Sequence, residues 1–145
     1  MSYPMLAGRR LLVVEDEMLI AEELAERLND AGAEIIGPIG WIDEAMAVAE
    51  QSGRIDAAIL DVNLRGETVF PLADAMVARG VPLLFVTGYD MASLPPRFAG
   101  MPCSGKPAPV SAVADLLRSV ECRAPLPAST GAGQGRQGVY SGGRY

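Results

Sequence analysis

Four short apolar segments of this chain are each followed at once by side chains that could take part in chemistry. In chain order these side chains are Glu15, Asp16 and Glu17, then Asp61 and Asn63, then Thr87, and finally Lys106. Carboxylates, a hydroxyl and an ammonium group are typical of sites that bind a hard cation and transfer phosphoryl groups. The set therefore points to that chemistry, provided that the fold brings the residues together.

Each of these residues also has an ordinary structural explanation. Acidic side chains at the start of a helix interact favourably with the helix dipole. Asp61 and Asn63 could bond to their own backbone in a turn, Thr87 could cap a turn, and Lys106 could be a loop cation exposed to solvent. No single residue decides between these interpretations. Lys106 is, however, the only lysine beside eleven arginines, which indicates a position that needs a compact ammonium group.

The apolar segments have the length and composition of buried parallel strands. They cover residues 11–14, 35–36, 57–60 and 83–86, and a weaker fifth candidate covers 100–104. Segments with helical periodicity lie between them. The first carries Ile20, Leu24 and Leu28 on one face and ends at Gly32.

Three further helices and one irregular segment complete the pattern. The second helix is predicted over residues 43–51 with an acidic N-cap. The third spans the apolar positions 69–77 and stops at Gly80, and the last spans the apolar positions 110–120. Pro95 and Pro96 limit any helix in residues 90–98 to about one turn. Strands that alternate with helices predict a doubly wound α/β fold, a parallel sheet covered on both faces.

In such a sheet, ligands bind beyond the carboxyl ends of the strands, where the residues listed above should meet. Three carboxylates at one edge would repel unless a cation joined them, and Mg²⁺ prefers such hard oxygen ligands. With Mg²⁺ bound, Asp61 could act as a carboxylate nucleophile toward phosphorus. Lys106 would then supply positive charge opposite the metal, and the Thr87 hydroxyl would bond a phosphoryl oxygen.

Composition excludes several other functions. The chain has no histidine, which removes Ser-His-Asp and Cys-His catalysis and ordinary zinc sites. A formal charge of −6 argues against a nucleic acid or an anionic membrane as the main partner. Two cysteines suit a reducing compartment, and no apolar run approaches the length of a membrane span, so we expect a cytoplasmic protein.

The sequences LLVVEDE, AAILDVNLRG, LLFVTGYD and SGKPAPV occur in this order at the predicted strand ends. Together they make the chain similar to the receiver domains of two-component response regulators over about residues 8–122. The resemblance implies a flavodoxin-like sheet of five parallel strands in the order 2-1-3-4-5. The short or irregular fourth helix that Pro95 and Pro96 predict would be a departure from that family. The family resemblance implies a receiver domain over residues 1–123, and residues 124–145, rich in Gly, Pro and Ser, are predicted to be a disordered tail.

The resemblance also assigns roles. It implies Asp61 as phosphoacceptor, Thr87 as switch hydroxyl and Lys106 as phosphate-binding lysine. For Mg²⁺ it implies Asp16 as a direct ligand, Glu15 as a ligand through water and Asn63 as a ligand through its backbone carbonyl. The Lys106–Pro107 bond is then expected to be cis. Cys103 stands where many receivers carry an aromatic switch residue, and Tyr89 could instead cover the phosphoryl group.

The stretch GVPLLFVTGYD is similar to the FAT GUY group, which comprises stand-alone receivers linked to HWE-type histidine kinases. This similarity implies that a histidine kinase or a phosphotransfer protein donates the phosphoryl group and that an unidentified protein is the downstream target. A homodimer is compatible with it. The exposed positions Met18 and Leu19 would suit the docking of a kinase. The chain would signal through protein contacts or act as a phosphate sink. It would catalyse only its own phosphorylation and dephosphorylation and would have no separate substrate.

Three alternatives remain at this point. A pseudo-receiver would keep the fold as a scaffold that works without phosphorylation. A phosphatase of the haloacid dehalogenase type would need an acid two residues after its nucleophile, where this chain has Asn63. A flavodoxin-like electron carrier would need a phosphate loop after the first strand, where the run of acids from Glu15 to Glu17 would repel a phosphate.

Overall fold

In the computed structural model, the described residues are 3–88 and 94–123, and the side chains of 121–123 are not included. After a 3₁₀ turn at Pro4–Leu6, the elements are β1 Arg10–Val14, α1 Met18–Asp30, β2 Glu34–Ile39, α2 Ile42–Gln51, β3 Ala57–Asp61, β4 Asn63–Leu64, β5 Glu67–Thr68, α3 Phe70–Ala78, β6 Leu83–Thr87, a second 3₁₀ turn Pro96–Phe98, β7 Cys103–Gly105 and α4 Val110–Arg123.

Five strands form one parallel sheet in the order β2-β1-β3-β6-β7. The predicted order 2-1-3-4-5 is confirmed, because β4 and β5 form a separate antiparallel hairpin outside this sheet. Each strand lies beside its neighbour with carboxyl ends at the same edge. Residues after β1, β3, β6 and β7 therefore meet there.

The core consists of two apolar layers, one on each face of the sheet. Alternate strand residues such as Leu12 and Leu60 pack with α2 and α3 on one face. Their neighbours, including Val13 and Ile59, pack with α1 and α4 on the other. Side chains alternate between the two faces of a strand, so a strand buried on both faces is apolar throughout. This explains why continuous apolar runs identified the three central strands, β1, β3 and β6, to within one residue.

Two sequence expectations about local structure were wrong. The α2 helix begins at Ile42 after Trp41, and no side-chain bond caps it, so Asp43 lies in the first turn and is not an acidic cap. The fifth strand is Cys103–Gly105, not residues 100–104. In the segment predicted to hold a short fourth helix, the described part contains only the 3₁₀ turn.

Several expectations concern residues that lie outside the described part of the chain. They include the role of Tyr89 and the disordered tail over residues 124–145. Of the helices in residues 3–88 and 94–123, none is both long and apolar enough to cross a bilayer.

Candidate functional site

Lys106 lies at the centre of the polar residues at the carboxyl edge of the sheet. Its Nζ donates hydrogen bonds to Asp61 Oδ2 at 2.9 Å, to Glu15 Oε2 at 3.2 Å and to Glu17 Oε1 at 2.7 Å. Glu17 is exposed, whereas Asp61 and Glu15 are only 2% and 5% exposed. One ammonium group thus serves two buried carboxylates and a third one at the surface.

The strands fix the positions of these groups. Asp61 is the last residue of β3 and pairs with Val86 of β6, whereas Thr87 at the end of β6 pairs with Gly105. Lys106 follows Gly105 immediately, so pairing between β6 and β7 places it near Thr87. The Lys106–Pro107 bond is cis, as the resemblance to receivers implies.

Asp16 completes a group of three carboxylates. One oxygen from each of Glu15, Asp16 and Asp61 lies within 4.8 Å of the others. Two of these carboxylates are buried and Lys106 carries a single charge, so the cluster retains excess negative charge. Such a set of oxygen ligands, in a protein that lacks histidine, fits Mg²⁺ better than zinc. The residues present therefore fit the metal that the sequence led us to expect.

Burial and neighbouring charges change the pKa values of these groups. Burial, reinforced by the proximity of Asp61, raises the pKa of Glu15 from 4.5 to about 7. Burial also raises the pKa of Asp61, against the opposing effect of its hydrogen bond from Lys106. The pKa of Lys106 is raised because its bonds to Glu17 and Asp61 outweigh the effect of burial. Lys106 is therefore fully charged at neutral pH, whereas Glu15 titrates there.

The pKa of Asp16 moves in the opposite direction. Partial burial favours its neutral form, but a hydrogen bond from the backbone N–H of Arg65 holds the pKa below its ordinary value of 3.8. This N–H lies 2.8 Å from Asp16 Oδ2. Asp16 is thus ionised at neutral pH.

The hairpin β4–β5 forms one wall of the site, and sequence reasoning missed it. Arg65 and Gly66 connect its two strands with φ values of 51° and 87°, as in a type I′ turn. Asn63 Oδ1 accepts a bond from the Gly66 N–H at 2.9 Å, and the Asn63 N–H donates to Asp61 Oδ1 at 3.3 Å. Gly66 and the ordinary interpretation of Asn63 as a turn residue were the signals for this turn in the sequence.

The polar residues border an open cleft of about 770 Å³. Its lining includes Asp16, Glu17, Asp61, Asn63, Thr68, Phe70, Thr87, Gly88 and Lys106. Five of the six residues predicted for the site line this cleft, and the sixth, Glu15, lies within hydrogen-bond distance of Lys106. The structure thus brings all six together, whereas their chemical roles remain predictions.

Three other residues singled out in the sequence occupy different surroundings. Met18 and Leu19, at the start of α1, are 40% and 86% exposed, as their position outside the apolar stripe indicated. Cys103 is half-buried against the core layer of α2 and α3, and burial raises the pKa of its thiol. A raised pKa disfavours the reactive thiolate.

Comparison with known proteins places the chain among signalling domains. SdrG from Sphingomonas melonis Fr1 is 39% identical, with a TM-score of 0.67 over 80% of this chain and 98% of SdrG. The receiver domain of the hybrid histidine kinase CckA is 29% identical, with a TM-score of 0.59 over 76% of this chain and 96% of that domain.

A curated relative gives a similar result at the level of sequence. The transcriptional regulatory protein PdtaR of Mycobacterium tuberculosis is 30% identical over 114 residues, which are 78% of this chain and 55% of PdtaR. The chain thus spans about half the length of the curated relatives that it matches. No protein-family model matches the chain.

Proposed function

The chain belongs to the receiver domains of response regulators, and we propose on that premise that it is a phosphorylation switch with Asp61 as phosphoacceptor. The observation that carries the proposal is the 2.9 Å contact between Lys106 Nζ and the buried carboxylate of Asp61, beside the acidic pair Glu15 and Asp16. A single lysine paired with a buried aspartate in an acidic pocket suits phosphoryl transfer, which depends mainly on positioning and charge.

In this proposal the Asp61 carboxylate attacks phosphorus. A new P–O bond forms, and the bond from phosphorus to the donor's leaving group breaks, so that the leaving group departs with the electron pair. The hydrogen bond from Lys106 favours the carboxylate form of Asp61 and so opposes the effect of burial on its pKa. After transfer, Lys106 would exchange a carboxylate partner for a phosphoryl oxygen.

Asp16 and Asp61 would hold Mg²⁺ directly, Glu15 through water, and Asn63 through its backbone carbonyl. When bound, Mg²⁺ neutralises charge on the phosphoryl oxygens. The Thr87 hydroxyl would bond another of these oxygens, since Thr87 lines the same cleft as Asp61 and Lys106. Gly88, which has no side chain, leaves the approach to that position open.

The donor would be a histidine kinase, of the HWE type that the FAT GUY resemblance implies, or a phosphotransfer protein. Met18 and Leu19 present an apolar pair at the start of α1, beside Asp16, and such a patch suits contact with a helix of the donor. The phosphorylated protein would act in the cytoplasm through protein contacts or as a phosphate sink.

Acetyl phosphate provides a direct test, because it is a small donor that needs no partner protein. Wild-type protein should incorporate phosphate in the presence of Mg²⁺, and EDTA should prevent incorporation. The Asp61→Asn variant should not be labelled under either condition. Equal labelling of both proteins, or none in either, would refute a phosphorylation switch at Asp61, and the absence of labelling in both would favour the pseudo-receiver.

A further inference from the structure

Three loops at the carboxyl edge of the sheet meet at Arg65. Its backbone N–H bonds Asp16 in the β1–α1 loop at 2.8 Å, as described above. Its side-chain Nε donates to the carbonyl of Gly40 in the β2–α2 loop at 3.1 Å. Its guanidinium also lies 4.0 Å from the ring centroid of Trp41, close enough for a cation–π interaction. Arg65 therefore links Asp16 to a loop that provides none of the predicted site residues.

The surroundings of Gly40 leave little room between the β2–α2 loop, Arg65 and the β1–α1 loop. A Cβ atom built there would lie 3.4 Å from the Arg65 guanidinium, from Asp16 Cα and from the Glu15 carbonyl oxygen. The β2–α2 loop thus packs closely against both Arg65 and the backbone that carries the acidic pair. The hydrogen bond and the ring contact hold the Arg65 side chain over this loop.

The backbone of Arg65 makes an arginine an unexpected choice at this position. Its φ of 51° lies in the left-handed region, where asparagine and glycine are favoured, above all in the first central position of a type I′ turn. If residues 65 and 66 only had to form this turn, Asn-Gly would be the more favourable pair. The contacts of the side chain with Gly40 and Trp41 supply a reason for an arginine.

We infer that Arg65 is a positioning residue for Asp16: its side chain fixes the hairpin turn against Gly40 and Trp41, and its N–H thereby fixes the carboxylate that would bind Mg²⁺. The inference rests on the proposed function, because it assumes that Asp16 is a metal ligand. Partners that orient a metal ligand contribute substantially to metal affinity.

The sign of the effect separates positioning from simple electrostatics. A guanidinium cation near a metal site repels Mg²⁺, so its removal should strengthen Mg²⁺ binding if only charge mattered. If Arg65 positions Asp16, its removal should weaken Mg²⁺ binding in spite of the lost repulsion. The two roles of Arg65 thus predict opposite changes in one measured quantity.

The Arg65→Asn variant separates the side-chain contacts of Arg65 from its place in the turn. Asparagine followed by Gly66 is the preferred pair for a type I′ turn, so the hairpin should form while the contacts with Gly40 and Trp41 are lost. Arg54→Asn is the matched control, because Arg54 bonds a backbone carbonyl, that of Gly8, before β3 begins, at the opposite edge of the sheet. Both variants change the net charge by the same amount.

The experiment titrates the full chain with MgCl₂ and follows amide chemical shifts. Arg65→Asn should weaken Mg²⁺ binding about tenfold, and Arg54→Asn should stay within about twofold of wild type. With acetyl phosphate, Arg65→Asn should need more Mg²⁺ for half-maximal labelling but reach the wild-type labelling rate at saturating Mg²⁺. Loss of the fold would instead lower the labelling rate at every Mg²⁺ concentration.

Two kinds of result would overturn the inference. The positioning role would be refuted, and the proposed function left intact, if the Arg65→Asn variant bound Mg²⁺ at least as tightly as wild type. The same would follow if its affinity for Mg²⁺ fell by no more than that of Arg54→Asn. Absence of Mg²⁺ binding in wild type, or equal binding by an Asp16→Asn variant, would overturn the proposed metal site and this inference with it.

Discussion

Glu15 should make the stability of the metal-free protein fall as the pH rises through neutrality. Its carboxyl group is buried, and its pKa is raised from 4.5 to about 7. A carboxyl group with a raised pKa in the folded state stabilises the fold at low pH, where it is protonated, and this contribution is lost as the pH rises through the folded-state pKa. For these two pKa values, linkage gives a loss of about 2 kcal/mol between pH 5.5 and 8.

Other groups of the site leave this sign unchanged. Asp61, whose pKa is also raised by burial, acts in the same direction as Glu15. The lowered pKa of Asp16 adds stability that is lost only under acid conditions, below this range. The raised pKa of Lys106 adds stability that is complete below its unfolded value of 10.5 and constant here.

Urea denaturation in EDTA at a series of pH values measures this effect directly. The Glu15→Gln variant, which cannot ionise at this position, should lose most of the pH dependence. Saturating Mg²⁺ should also flatten it in wild type, because a divalent cation favours the ionised carboxylates. Stability of the metal-free wild type that is constant or rises from pH 5.5 to 8 would refute the account of a buried, titrating Glu15.

Three substitutions test other parts of the structure. Lys106→Met should lower the free energy of unfolding of the metal-free protein by about 3 kcal/mol at pH 8, because it leaves two buried carboxylates without their cation; it should also abolish labelling by acetyl phosphate, and normal labelling would contradict the role of Lys106. Leu19→Asp should change the unfolding free energy by less than about 0.5 kcal/mol and leave labelling by acetyl phosphate intact, but slow phosphotransfer from the cognate kinase; equal loss with both donors would argue against docking at Leu19. Phe98→Ala should cost about 3–5 kcal/mol in urea denaturation, since Phe98 is buried between the rings of Phe70 and Phe85; a cost below about 1 kcal/mol would contradict that packing.

The strands were predictable because both faces of the sheet are buried. Residues 83–86 were predicted as a strand from their apolar run alone, and the strand is Leu83–Thr87. The second strand was underestimated as residues 35–36, whereas β2 spans Glu34–Ile39. The Gly37–Pro38 pair interrupts its apolar run, yet pairing with β1 resumes at Ile39 after a shift of register.

The sheet topology was enough to predict that the site residues come together at one edge, but it did not predict the individual hydrogen bonds between them. The carboxyl ends of parallel strands share an edge, which was enough to bring Asp61 and Lys106 together. The bond from the Arg65 N–H to Asp16 left no trace in the sequence, because every residue except proline carries a backbone donor. A two-residue strand such as Asn63–Leu64 is likewise too short to show any periodicity.

Chemical mapping of the phosphoryl group tests the central claim most directly. Acetyl phosphate and Mg²⁺ would be added to the wild-type chain, the acyl phosphate reduced with borohydride to homoserine, and the modified residue located by mass spectrometry of peptides. We expect homoserine at position 61 and nowhere else, and none when EDTA is present. Modification at another carboxylate, or at position 61 to the same extent without Mg²⁺, would contradict a metal-dependent switch built on Asp61 and Lys106.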